Sequence, residues 1–178
     1  MELTDADLVA RVLLDDDQHA FGELVRRHQS PVRGLLRQLT RTDIALADDL
    51  AQETFLRAYK HIASFRGEAK FSTWLYRIAY NCFREEARRR KEFVGIDEGQ
   101  QQAEMDPQVV DPGLRHDLMY ALSLLPLHER SAIVLCCQNG LSHDEAARVL
   151  DIPIGTVKTN VLRGREKLKR TLAAWGPN

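Results

Sequence analysis

The sequence predicts an all-α protein: two small helical domains joined by a flexible acidic linker, the C-terminal one containing a helix-turn-helix. Three observations carry that prediction. Apolar residues recur with a period of about 3.6 while strict alternation is scarce, which favours helices over strands. Residues 92–114 contain no Lys or Arg, carry Glu92, Asp97, Glu98, Glu104, Asp106 and Asp111, and include Pro107 and Pro112, a composition that tethers rather than packs. Near the C-terminus a capping box, a tight turn and a basic amphipathic stretch follow one another directly. With 178 residues the chain can form one domain or two modest ones, and the linker composition decides for two. The expected boundaries are 1–92, 93–113 and 114–178.

Taken in order, Thr4 and Asp7 form a capping pair that starts a first helix. A second starts after Asp16 or Asp17, with Phe21, Leu24 and Val25 facing inward, and Pro31 is expected to kink or restart it before Leu35, Leu36 and Leu39. Ala47, Leu50, Ala51, Phe55, Ala58 and Ile62 recur at three- and four-residue steps and define a third helix, whose other face holds Asp48, Asp49, Gln52, Glu53 and Arg57. Residues 64–70 read as a loop around Gly67, and a helix resumes near Ser72 with Leu75, Ile78 and Cys82 inward. On it Thr73, Arg77, Asn81, Arg84 and Arg88 form one polar stripe. The last third opens with Leu118, Ala121, Leu122 and Leu125 on a helix that Pro126 ends, and Ile133, Val134 and Cys137 suggest another. Gly140 then serves as a C-cap, Ser142 and Glu145 form a capping box, and the turn at 151–155 leads into a longer basic helix.

Composition narrows the classes. No apolar run approaches the ~20 residues needed to cross a bilayer, so no membrane insertion is expected. The acidic opening MELTDADLVARVL lacks the features of a secretory signal, making the cytoplasm the default location. Cys82, Cys136 and Cys137 fit neither a disulfide framework nor a metal knuckle, so they read as small apolar residues, with a redox or metal switch at the adjacent pair as the minority alternative. Neither the histidines nor the carboxylates match a catalytic motif; no metal, no cofactor and no enzymatic activity are expected.

What remains is charge layout. The net charge is −1, yet Arg84, Arg88, Arg89, Arg90 and Lys91 form one basic cluster and Lys158, Arg163, Arg165, Lys167, Lys169 and Arg170 another. A phosphate backbone responds to local clusters of cations, so near-neutrality does not oppose nucleic-acid binding. In the C-terminal unit Ala146, Ala147, Leu150, Val157 and Val161 would pack the two helices together, leaving Lys158, Thr159, Leu162 and Arg163 outward for base edges or phosphates. The helix from Ser72 is less decisive. Phe65, Phe71, Trp74, Tyr76 and Tyr80 beside its cations could stack on unpaired bases, or could be core, the better reading for Phe71 and Trp74. A conventional transcription regulator with an N-terminal sensory domain would share the C-terminal unit but would leave the 48–81 pattern without a reason.

The residues resemble a family. Asp48-Asp49-Leu50-Ala51-Gln52-Glu53-Thr54-Phe55, Ser64-Phe65-Arg66-Gly67 and Phe71-Ser72-Thr73-Trp74-Leu75-Tyr76-Arg77-Ile78-Ala79-Tyr80-Asn81 resemble region 2 of bacterial sigma factors. Gly140-Leu141-Ser142, Glu145-Ala146-Ala147 and Gly155-Thr156-Val157-Lys158 with Arg163-Gly164-Arg165 resemble region 4. Two such regions separated only by a short linker are similar to the extracytoplasmic-function class of the sigma-70 family. Ala51, in place of a larger aliphatic residue, and the Cys136-Cys137 pair are small departures from its usual pattern.

The resemblance implies a factor that binds core RNA polymerase, recognises and melts the −10 promoter element with region 2 and reads the −35 element with region 4. It implies polymerase contacts at Asp49, Gln52, Glu53, Phe55 and Tyr59. It places −10 contacts at Phe65, Arg66, Lys70, Ser72, Arg77, Asn81, Arg84 and Arg88, and −35 contacts at Thr156, Lys158, Thr159, Leu162, Arg163 and Lys167. Promoter DNA, core polymerase and an anti-sigma factor are the implied partners. The acidic linker is implied to thread the polymerase's RNA path, where its lack of cations would suit a channel built for polyanionic RNA.

Overall fold

A computed structural model describes residues 3–41, 43–94 and 114–174. Among these there are eight α-helices and no strand: α1 (Asp5–Asp15), α2 (Gln18–Leu39), α3 (Ile44–His61), α4 (Phe71–Val94), α5 (Leu114–Ser123), α6 (Leu127–Ile133), α7 (His143–Leu150) and α8 (Ile154–Ala174). A 3₁₀ turn (Ile62–Ser64) follows α3, and a π turn (Val134–Gln138) continues α6. The linker expected at 93–113 lies almost wholly outside the described residues.

Short polar side chains set the helix starts. Thr4 accepts from the Asp7 amide while the Asp7 carboxylate accepts from the Thr4 amide, the reciprocal box that satisfies two otherwise orphaned donors. Asp17 caps α2 through the His19 and Ala20 amides, and Asp43 caps α3 through Leu46. Ser142 and Glu145 close a second complete box at α7. Gly140, at φ +70°, makes the left-handed turn into it.

The N-terminal unit packs α1 on α2, α2 on α3, and α4 against both α2 and α3. Leu24, Leu35, Leu36, Leu39 and Leu75 are fully buried there, each stabilising the fold by ~1.5–3 kcal/mol. The C-terminal unit packs α8 against α5, α6 and α7 around Leu135, Val149 and Val157. The two units meet: α7 lies on α4, while α5, α6 and the π turn lie on α2.

The structure refines four points of the sequence reading. Pro31 neither restarts α2 nor ends it; the helix runs unbroken from Gln18 to Leu39. Pro31 is exposed, and the buried Val32, Leu35, Leu36 and Leu39 behind it hold the second half of the helix in place. Cys137 faces solvent rather than the core, because the π turn inserts a residue and rotates the following face outward. Leu118 is 42% exposed, although Ala121, Leu122 and Leu125 on the same helix are buried. Tyr76 and Tyr80 are buried and therefore offer no stacking surface.

Candidate nucleic-acid interface

The loop before α4 carries Phe65 against Phe71 and Trp74, with ring centroids 5.4 and 5.6 Å apart and the Phe65–Phe71 pair edge-on. Offset and edge-on packing is favourable between ring quadrupoles, so the three rings brace one another. Phe71 is buried, whereas Phe65 and Trp74 are half-buried and keep one side near solvent. Beyond them Arg66 and Lys70 are exposed and Ser72 is half-buried. Further along α4, Arg77, Asn81, Arg84 and Arg88 are all exposed at four-, three- and four-residue steps, forming one polar face, and Arg88 lies 3.8 Å from Glu92. Thr73, the first member of the same stripe, is buried under α7.

A different surface is built on α3. Asp49 and Gln52 are exposed; Glu53, Phe55 and Tyr59 are half-buried. Glu53 accepts from Arg57 at 2.6 Å and Arg57 also donates to Glu85 at 2.7 Å, so α3 and α4 are joined by one guanidinium whose pKa these two carboxylates raise. The Tyr59 hydroxyl donates to Asp16 at 2.9 Å, a hydrogen bond that raises the phenol's pKa and ties the face to the end of α1, and its ring packs edge-on against Phe21. Leu56, 58% exposed on this face, escaped the sequence reading because it falls off the apolar stripe.

The C-terminal helix-turn-helix has α7 and α8 separated by Asp151, Ile152 and Pro153, with Asp151 in the left-handed conformation at φ 56°. Ala146, Leu150, Val157 and Val161 are buried between the helices. Thr156, Lys158, Thr159, Leu162 and Arg163 are exposed on the outer face, Leu162 to 60%. Thr159 spends its hydroxyl proton on the Gly155 carbonyl, at 3.0 Å, leaving its methyl group and oxygen lone pairs outward.

Lys167 sits differently from its neighbours. Its ammonium donates to Glu129 at 2.7 Å, and Glu129 is buried, so this lysine pins α8 to α6. Beside it Gly164 approaches α6 so closely that a Cβ there would lie 2.8 Å from Ile133 Cγ1. Neither Glu129 nor the need for glycine at 164 was legible in the sequence, because the α6 partners are more than thirty residues distant.

Cys136 is half-buried and its thiol is pushed up to about 11, first by burial and then by Cys137, which keeps it protonated and unreactive at neutral pH. Among the described residues no cluster of three His, Cys, Asp or Glu side chains could hold a metal, and no helix is long and apolar enough to cross a membrane.

These surfaces belong to an all-helical protein with a C-terminal helix-turn-helix, and comparison with known proteins gives its lineage. The family model Sigma-70 region 2 matches residues 24–93, and Sigma-70, region 4 matches residues 115–168. The chain is 36% identical to the ECF RNA polymerase sigma-E factor of Haemophilus influenzae, with 96% of each protein covered. It is 38% identical to the ECF RNA polymerase sigma factor SigW of Bacillus subtilis, covering 88% of this chain and 90% of that one. Among solved structures, the sigma factor RpoE in complex with the anti-sigma factor NepR from Bartonella quintana superposes with a TM-score of 0.76 at 27% identity, over 86% of this chain and 96% of that one. CnrH in complex with the cytosolic domain of CnrY gives 0.69 at 28% identity, over 96% and 97%. The chain belongs to the extracytoplasmic-function class of the sigma-70 family. It is therefore a transcription initiation factor that binds core RNA polymerase and promoter DNA, not an enzyme.

Proposed function

We propose a division of labour in which α3 docks on core polymerase, the Phe65 loop and the outer face of α4 capture and open the −10 element, and α8 reads the −35 element. This gives the chain a region 2 domain over 1–92, a linker over 93–113 and a region 4 domain over 114–178. The observation that carries the reading is the exposed Arg77-Asn81-Arg84-Arg88 row on α4 alongside the exposed Lys158-Thr159-Leu162-Arg163 row on α8. Cations along a backbone with an amide among them suit an unpaired strand, while a basic helix entering by its N-terminal turns suits a major groove. On α3 the acidic and amide side chains of Asp49, Gln52 and Glu53 suit a basic partner helix, with Leu56, Phe55 and Tyr59 as apolar anchors.

Extrusion of a base from its stack costs a few kcal/mol, which the half-buried Phe65 and Trp74 and the amide of Asn81 are placed to recover. Of the proposed −35 group, Lys167 contributes by holding α8 on Glu129 as much as by its charge. An anti-sigma partner is supported by the RpoE relative, solved with NepR, and a cytoplasmic location is supported by a role on polymerase and DNA. Promoter-selective transcription by sigma-free bacterial core polymerase, with and without the chain, tests the proposal. Initiation that requires the chain and falls with both Asn81→Ala and Lys158→Ala supports it. Tight promoter binding with no initiation from a broad promoter library would return the chain to the class of conventional regulators.

A further inference from the structure

The start of α1 is held by two consecutive residues of α2. The Arg27 guanidinium donates to the Leu3 carbonyl at 2.7 Å and to Asp5 Oδ1 at 3.3 Å. His28 Nε2 donates to Asp5 Oδ2 at 2.8 Å; a carboxylate only accepts, so the hydrogen of this bond sits on the imidazole. The His28 side chain is 15% exposed, and its ring goes on to pack against Phe71, with centroids 5.3 Å apart and planes inclined by 58°.

Phe71 in turn meets Phe65 edge-on and Trp74 at a tilt, each at 5.4 Å. One line of contacts therefore runs from Asp5 through His28 and Phe71 to the half-buried Phe65 and Trp74. Residues 65–70 lie outside any helix and include Gly67 at φ +72°, so side-chain anchors rather than helical hydrogen bonds place this loop. The torsion that turns an imidazole about its stem has a broad minimum, and a hydrogen bond at one ring nitrogen sets the tilt. Ring pairs depend on that tilt and on their offset, so a fixed imidazole gives Phe71 one preferred setting.

We propose that Asp5 and His28 are positioning residues for −10 opening: the imidazole held by Asp5 fixes Phe71, and through it the Phe65–Trp74 edge, in the setting that receives an extruded base. This rests on the assignment of the Phe65 loop to the −10 element. Neither residue contacts DNA in this role. Their loss slows opening and leaves initial promoter binding unchanged, whereas a pair that only held α1 on α2 would favour neither step.

The test uses holoenzyme assembled from core polymerase and the full chain, on a responsive promoter with 2-aminopurine in the −10 element, whose fluorescence rises as the base unstacks. The dependence of the rate on holoenzyme concentration separates initial binding from opening. His28→Ala is expected to slow opening about two- to tenfold, the range of a lost ring pair, with initial binding unchanged. Asp5→Ala leaves the ring but frees its tilt, and is expected to slow opening about twofold or more. Since Asp5 acts through His28, the double variant is expected to be no slower than His28→Ala alone. Asp7→Ala removes the same charge two residues on, from a carboxylate that caps α1 with Thr4, and is expected to leave the opening rate as it is.

An unchanged opening rate in His28→Ala, an equal loss in Asp7→Ala, additive losses in the double variant, or a loss confined to initial binding would overturn the positioning role. Should His28→Ala melt below the assay temperature, the comparison of Asp5→Ala with Asp7→Ala decides, since the Asp5 side chain is 32% exposed and its loss leaves the core intact. Phe65→Ala separates the two ideas. If it slows opening and His28→Ala does not, only the positioning role fails; if it leaves opening unchanged, the assignment of the loop fails and the positioning role with it.

Discussion

α8 and α4 are both basic helices, yet they expose their chemistry in opposite ways. α8 is anchored from behind by Val157, Val161, Gly164 and the Glu129–Lys167 pair, and its outer face is exposed from Thr156 to Arg163. α4 is enclosed on several sides by α2, α3 and α7, so its aromatic residues go mainly into the core and only a narrow row reaches solvent. A helix-turn-helix needs one buried stripe per helix, which leaves a wide face for reading. A helix at the centre of a bundle has little surface to spare, and what it does expose is correspondingly specific in position.

The contrast is most strongly broken through α4. Leu75 has no exposure, and Leu75→Ala is expected to lower stability by about 2–5 kcal/mol in a urea melt, while leaving the isolated chemistry of the α8 face intact. An α4 core substitution costing under ~1 kcal/mol would contradict the packing described. On α8 the corresponding weak point is the close approach at position 164. Gly164→Ala is expected to cost about 1–3 kcal/mol, because the added methyl group meets Ile133 Cγ1 at 2.8 Å and that side chain must shift. Unchanged stability in the same melt would show that Ile133 repacks freely.

Lys167 and Lys158 sharpen the comparison within α8 itself. Lys167→Ala leaves Glu129 buried without its donor and is expected to cost about 1–3 kcal/mol of stability. Lys158→Ala is expected to leave stability nearly unchanged and to cost about 1–3 kcal/mol of binding at an intact −35 element while relaxing discrimination there. Reversal of this pattern would exchange the roles of the two lysines.

The smallest effects concern the cap at the α7–α4 contact. Ser142→Ala removes a capping oxygen and is expected to cost about 0.5–2 kcal/mol in the same melt. The hydrogen bond from the Ser142 backbone, with Lys70 and Thr73 assisting, holds the Glu145 carboxyl below its ordinary value of 4.5. Its folded-state pKa is depressed, so its contribution is complete above that ordinary value and lost as pH falls through the folded value. Acid titration of Glu145→Gln is therefore expected to lack this component of the native chain's low-pH destabilisation, and matching acid limbs would remove Glu145 from the balance.

Sequence legibility followed the same divide. The α7–α8 unit could be read because its signals are local: Ser142 and Glu145 three residues apart, a tight turn, and apolar spacing that fixes which side of α8 is buried. On α4 composition left Tyr76 and Tyr80 open between stacking and core, since an aromatic residue beside a cation looks alike in either setting. The restart that Pro31 suggested does not occur, because a local breaker is outweighed by buried leucines whose partners lie on other helices. Arg130, Glu129 and the Thr73–Glu145 contact depend on residues brought together from distant parts of the chain, and no pattern along the sequence announces them.

The central claim is that one helix reads each promoter element, and a variant-by-promoter cycle tests it most directly. Initiation by core polymerase would be measured for the native chain, Asn81→Ala and Lys158→Ala on a responsive promoter and on versions altered separately in the −10 and −35 elements. The expected result is that Asn81→Ala becomes insensitive to the −10 changes alone and Lys158→Ala to the −35 changes alone. Loss of discrimination at both elements in either variant, or at neither in both, would contradict the division of labour.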